Sequence, residues 1–358
     1  MDKTETQAEK SATEKVTGKV KETTAKTTAA VKSGLQSAGR KLKNGIEAVT
    51  KNFRAAVRMG IALAATPAFI GLAALQAFVV RPLTGNQSFI PNLIYNASAK
   101  LIGLKIKFNA ASAPVAKKQA WYVANHISNA DFLALGAKLD GTFAGKGDIL
   151  KWPVVAQMAR AIKYIGLRRS SEYNAESRAK LVKNFNDGQN AIMFPEGTTS
   201  DGSKVHLFRA ALPGLLYGDP AVDKNKQEVK LDKDVVVQPV AIKIKSVNGK
   251  DPAGNADLRE LYCMYHEENM LTRIWKRMQV REITVELTAM KPLNPKDFKD
   301  AKELMNKAAL EIATVVNPGQ TTFSKAEIPG QPQKPANDTA QKKPAAKKQK
   351  TAVAAKKA

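Results

Sequence analysis

Residues 194–202 read FPEGTTSDG and close the apolar run that spans Asn190 to Phe194. That run has the length and bulk of a buried strand. Pro195 has no N–H to give to a ladder, so the strand is expected to stop there. Glu196 to Ser200 then occupy the loop beyond its C-terminal end, where open α/β sheets bind ligands. The same letters also make an ordinary turn with a threonine cap, so the stretch takes its meaning from its surroundings.

The surroundings supply a second strand end of the same kind. In WYVANHISNADFLAL (121–135) an apolar run stops at Asn125, which puts His126 in the following loop and Asp131 five residues on. With Ser128 or Asn129 capping a helix from Ala130, the chain turns back and the carboxylate can face the ring. A carboxylate that accepts one imidazole N–H fixes the tautomer and leaves the other nitrogen as a base. Short apolar runs continue at 119–125, 142–146, 163–167, 191–194, 235–242 and 282–290. They alternate with helical patterns at 130–139, 152–161, 177–186 and 296–313. The alternation predicts an α/β domain with a mostly parallel mixed sheet flanked by helices. His126 and Glu196, each just past a strand, fall on the same edge of that sheet.

The 358-residue chain carries 57 Lys and Arg against 32 Asp and Glu, a net charge of +25. Residues 1–54 hold twelve basic and six acidic side chains, and residues 325–358 hold nine and two, so the body is basic in its own right. Such an excess calls for an anionic partner: a membrane surface, a nucleic acid or an acidic protein. Residues 1–52 are expected to be a disordered basic tail or a marginal, solvated helix, and 324–358 a disordered Lys/Ala/Pro tail. Residues 59–80 contain no charge and are long enough to cross a hydrocarbon core, although a buried core helix has the same signature. Residues 88–108 read as an amphipathic stretch whose Lys100, Lys105 and Lys107 reach headgroups. The expectation is a membrane-associated unit over 53–110, followed by the α/β domain over 111–323. Cys263, the only cysteine, excludes an internal disulfide, and the three scattered histidines make a poor zinc site.

NHISNAD and FPEGT, in that order and about seventy residues apart, resemble the glycerophospholipid acyltransferases, the superfamily of lysophosphatidic acid acyltransferase. The resemblance covers roughly residues 110–290. Asn125, His126 and Asp131 match the family's NHxxxxD motif, and Phe194 to Thr198 match FPEGT. Ile165-Gly166-Leu167 followed by Arg168, or its neighbour Arg169, matches an apolar strand ending in arginine. Gln238-Pro239-Val240 matches a fourth motif, and Lys146 and Trp152-Pro153 follow the family's habit. The resemblance implies that His126 is the general base and Asp131 its support. It also implies that Arg168, Glu196, Gly197, Thr198 and Thr199 face the substrate, with amides near Gly197 as oxyanion donors. It implies no metal and no cofactor, because the acyl donor, acyl-CoA or acyl carrier protein, is itself a substrate.

Many lysophosphatidic acid enzymes carry arginine where this chain has Thr199, and a hydroxyl cannot replace a guanidinium's bidentate grip on phosphate. Acylation of lysophosphatidic acid to phosphatidic acid is the first expectation. The TTSDG variant also resembles acyltransferases of lyso-ornithine lipid and other lysolipids. The expected partners are therefore a lysolipid acceptor, a thioester donor and an anionic membrane surface. The expected place is the cytoplasmic face, with the anchor monotopic or hairpin-like. The competing reading outside enzymes is a nucleic-acid binder with basic tails, but the body shows no nucleic-acid motif. His206 and His266 are read as structural or surface residues, and Met264, Met270 and Met278 as core or tunnel lining rather than a cofactor box.

Overall fold

The computed structural model describes residues 3–85, 88–109, 115–116, 119–147, 164–167, 174–263 and 269–325. Among these, seven strands form one sheet: β1 (Leu104–Asn109), β2 (Ala120–Ala124), β3 (Thr142–Lys146), β4 (Ile165–Leu167), β5 (Ala191–Met193), β6 (Val236–Val247) and β7 (Ile283–Ala289). Their order is β1-β7-β6-β2-β5-β3-β4, and every neighbouring pair is parallel except β6 with β7. The sheet is thus mixed and mostly parallel. The helical pattern at 152–161 lies outside the described residues.

The central strands are apolar throughout because both faces are covered. All five residues of β2 are buried, and their alternation serves two cores. Trp121 and Val123 pack towards α5 (Asn174–Asn186) and α8 (Ala301–Val316), where Leu181, Phe185, Leu304 and Ile312 are buried with them. Ala120, Tyr122 and Ala124 point to the other face, against Leu135 and Leu139 at and beyond α4 (Asp131–Gly136).

Of the two expectations for the N-terminal tail, disorder or a solvated helix, the structure takes the helix. One helix, α1, runs unbroken from Lys3 to Leu75, through Pro67. Residues 3–52 are helical, and from residue 17 onward this part of the helix is exposed along its length. A five-residue π-helical stretch (Gln76–Val80) and the single turn α2 (Arg81–Thr84) follow, and then α3 (Phe89–Leu101). Gln76, the polar residue near the end of the apolar stretch, is buried, and its Oε1 accepts the Ile90 N–H at 3.1 Å, fixing the start of α3.

Residues 88–108 are not one amphipathic segment. After α3 the chain reverses at Gly103, whose φ is +74°, and enters the edge strand β1. The alternation in LKIKFN is a strand signal, with Lys105 and Lys107 exposed on an edge that charge protects from further pairing. Lys105 pairs with Glu282 at 2.6 Å.

Two further helices, α6 (Ala256–Glu260) and α7 (Met270–Gln279), had no sequence expectation. α1 packs against α7, and the join is electrostatic. Arg54 donates to Gln279 O at 2.7 Å, while Arg58 donates to Met278 O, Val280 O and Arg281 O at 3.0, 2.5 and 3.0 Å. Two cations thus satisfy the free carbonyls at the C-terminus of α7.

Beyond β2, the Asn125 side chain extends the ladder to β6. Its Nδ2 donates to Ile242 O at 3.0 Å and its Oδ1 accepts Ile242 N–H at 2.8 Å. Asn125→Ala leaves both backbone groups buried and unpaired, at a cost of about 1–3 kcal/mol each. Urea unfolding should show this as a lower midpoint with unchanged slope; an unchanged midpoint refutes the role of this bond.

Candidate active site

β2 and β5 are neighbours in register, Val123 beside Met193, so the loops that leave them emerge side by side. The loop after β2 is built around one carboxylate. Asp131 is fully buried, and its Oδ2 accepts the N–H of Ile127 and of Ser128, both at 2.8 Å, together with His126 Nδ1 at 2.9 Å. The turn is therefore made by Asp131 itself, the first residue of α4. Ser128 Oγ accepts the Ala130 N–H at 3.2 Å and its carbonyl the Asp131 N–H at 3.0 Å, and the helix cap is Ala130, without a side-chain bond. A carboxylate can only accept here, so Nδ1 carries the proton and Nε2 keeps its lone pair.

The ring is held on its faces as well. His126 stacks on Phe194 with centroids 4.0 Å apart and planes 14° apart, and it meets Phe132 edge-on at 6.0 Å. Phe194 is thereby the side of a slot whose other member is the catalytic candidate.

The loop after β5 clamps the first loop through the backbone. Glu196 Oε2 accepts His126 N–H at 3.0 Å and its Oε1 accepts His206 N–H at 2.9 Å, while Ser200 N–H donates to His126 O at 2.9 Å. Glu196 is only 2 % exposed, so it does not face a headgroup as expected; it joins two loops. Burial pushes its carboxyl up to about 8, against the two N–H donors that favour the ionised form.

Gly197 N–H is engaged by Phe194 O at 3.1 Å, closing a turn with Pro195 at its second position. That amide is therefore not available as an oxyanion donor. Gly197 has φ +75°, and a Cβ there would lie 3.0 Å from Cζ of Arg209, so the exposed Arg209 guanidinium rests directly on the turn. Thr198 and Thr199 are partly exposed on the same loop. Arg168 lies outside the described residues, as do Arg169, Met264 and His266.

Two residues were not anticipated. Tyr262 is buried, and its hydroxyl donates to the second Asp131 oxygen, Oδ1, at 2.8 Å. Burial and the adjacent carboxylate hold this phenol well above its usual pKa, so it remains a donor. Arg277 on α7 places its guanidinium 5.3 Å from the centroid of the Tyr262 ring, and its nitrogens find no hydrogen-bond partner among the described residues. Neither could be read from spacing, because Tyr262 is 131 residues from Asp131.

This geometry has known counterparts. The acyltransferase family model matches residues 105–243, which include both loops. The part of the chain that carries both loops is thus similar to acyltransferases. The chain is 29% identical over 199 residues to a lyso-ornithine lipid O-acyltransferase of Rhodobacter capsulatus, covering 55% of this chain and 65% of that protein. It thus spans less than two thirds of that relative's own length. A 1-acyl-sn-glycerol-3-phosphate acyltransferase of Neisseria gonorrhoeae is 24% identical over 216 residues, covering 60% of this chain and 75% of that protein. The crystal structure of the acyltransferase PlsC from Thermotoga maritima shares the fold. Its TM-score is 0.53 at 18% identity, over 78% of this chain and all of that one.

Within the acyltransferase domain, Glu196→Gln should cost about 1–3 kcal/mol, because an amide NH₂ then faces a backbone N–H. The pH dependence follows from the raised carboxyl. Between the ordinary value of 4.5 and about 8 the folded state holds the extra proton, so wild-type stability falls as pH rises across that window. The Gln variant should show a flatter curve from the same melts; parallel curves rule out the raised carboxyl. Tyr262→Phe should lower kcat roughly tenfold with KM unchanged, since an unpaired Oδ1 lets Asp131 rotate. An unaltered kcat removes Tyr262 from the support of His126.

Proposed function

We propose that the protein transfers a fatty acyl group from a thioester donor to the hydroxyl of a lysolipid. The observation that carries this is the buried Asp131 holding Nδ1 of His126, which leaves Nε2 as the base. Nε2 takes the proton from the acceptor hydroxyl as its oxygen attacks the thioester carbonyl. The tetrahedral intermediate then collapses, the C–S bond breaks, and the imidazolium returns the proton to the departing thiolate. Asp131 stabilises the imidazolium without taking its proton. With the Gly197 amide engaged in the turn, the Thr198 N–H is the candidate for the oxyanion. No cofactor is assigned to the step; acyl-CoA or acyl carrier protein serves as the donor substrate.

The acceptor that fits best is an amine-bearing lysolipid of the lyso-ornithine type. Thr199 stands where an arginine would repel such an amine, and the relatives described above include an enzyme named for that lipid. Lysophosphatidic acid is the second reading, supported by Arg209, whose exposed guanidinium lies on the Gly197 turn and can meet a phosphate.

The reaction takes place at a membrane in this proposal, on the cytoplasmic face, where thioester donors reside. Residues 59–80 carry no charge, and within them only Ala73 and Gln76 are buried, so the stretch is not a core helix of this fold. By length and composition, α1 is long and apolar enough to cross a bilayer.

His126→Ala should reduce acyl transfer about 10²–10⁴-fold with the fold retained. Wild-type turnover by a folded variant refutes the mechanism. Thr199→Arg should shift the kcat/KM ratio toward lysophosphatidic acid and away from lyso-ornithine lipid. A ratio that stays put shows that position 199 does not read the headgroup.

A further inference from the structure

The part of α1 that precedes the apolar stretch has a repeat that length and composition conceal. Val20, Val31, Leu42 and Phe53 recur every eleven residues. Leu35, Ile46 and Val57 form a second track at the same spacing, and Thr27, Ala38 and Val49 a third. Eleven residues make three helical turns at 3.67 residues per turn, so each track stays on one side of the helix and drifts only about 20° per repeat. The three tracks adjoin and make one apolar stripe. The large apolar members of this stripe are 44–70 % exposed.

The charges are arranged around the stripe. By helical geometry Lys19 and Lys41 lie along one border, and Lys21, Lys32 and Lys43 along the other. Glu22 and Glu47 lie on the far side, where they pair with Lys26 and Lys51 at 2.5 and 2.7 Å. Residues 17–57 hold nine Lys and Arg against two Glu. Lysine rows beside an apolar face, with glutamates opposite, fit a surface that is apolar within and anionic at its boundary.

This helix also lacks what would sustain it alone. Every residue from 17 to 53 is exposed, and a Cβ placed on Gly18, Gly34, Gly39 or Gly45 would meet nothing within 4 Å. Four glycines and several threonines weaken an isolated helix, whose stability normally comes from packing its apolar face. A second copy of the helix is a poor cover, because pairing the stripes would set lysine rows against each other. The stripe also continues without a break into the uncharged residues 59–80.

We infer that residues 20–57 form an interfacial helix that lies along an anionic lipid surface with this stripe buried in the headgroup boundary. At about 1.5 Å per residue it reaches roughly 60 Å across that surface. Charge-dependent contact of this segment sets where the enzyme docks, separately from the anchoring of 59–80. The inference rests on the reading that the protein works at a membrane.

Hydrogen exchange on the full-length protein tests it, with vesicles of phosphatidylglycerol and phosphatidylcholine compared with phosphatidylcholine alone. Amides 20–53 should exchange at least about tenfold more slowly on the anionic vesicles. A variant with Leu35→Ser, Leu42→Ser, Ile46→Ser and Val49→Ser should lose that protection, while 59–80 stays protected and activity in detergent is unchanged. Equal exchange of 20–53 with and without anionic vesicles overturns the inference, as does equal protection on phosphatidylcholine alone. Protection that grows with protein concentration in the absence of vesicles overturns it in favour of self-association. Loss of protection at 59–80 in the wild type strikes instead at the membrane anchor.

Discussion

Everything at the site depends on a single buried carboxylate. Asp131 takes two backbone N–H groups and one imidazole N–H at Oδ2 and one phenol O–H at Oδ1, so both oxygens of the buried carboxylate are hydrogen-bonded. Those four bonds do different work. The two amides shape the loop from β2 to α4, the imidazole bond fixes the His126 tautomer, and the Tyr262 bond pins the second oxygen. Once Asp131 is fixed, the direction of Nε2 is fixed with it. Phe194 then sets the plane of the ring by stacking.

The second loop matters chiefly as a brace. Glu196 and Ser200 hold the backbone of His126 at its N–H and its C=O, so both sides of that peptide are tied to the FPEGTTS loop. The glutamate that the motif offers as a headgroup ligand is an internal strut. On the same loop Thr198 and Thr199 remain partly exposed, with the exposed Arg209 above Gly197.

A physical connection also runs from the site to the N-terminal helix. Tyr262 lies under the Arg277 guanidinium, Arg277 belongs to α7, and the C-terminus of α7 is held by Arg54 and Arg58 of α1. Those two arginines stand at the threshold of the uncharged stretch. The support of Asp131 and His126 and the start of the uncharged stretch are thus joined through one short helix.

The amino-acid sequence by itself determined the α/β class, six of the seven strands and the meeting of NHISNAD with FPEGT. It could do so because strand ends, proline stops and alternating elements are local signals. β1 was legible in LKIKFN but was read as part of a longer amphipathic stretch, since three lysines among apolar residues satisfy both patterns. The eleven-residue track in α1 was legible as well and was hidden by threonine and alanine at several of its positions. What only the tertiary structure decided is everything that depends on distant partners: the inward turn of Glu196, the bond from Tyr262 to Asp131 and the seat of Arg277 on Tyr262. The separations run from 10 and 15 positions for Glu196–His206 and Tyr262–Arg277 to 70 and 131 for Glu196–His126 and Tyr262–Asp131, and no local periodicity encodes which buried donor will meet which buried acceptor. That pairing is set by how the sheet and helices pack, because burial makes an unmet polar group costly only after the chain has folded around it.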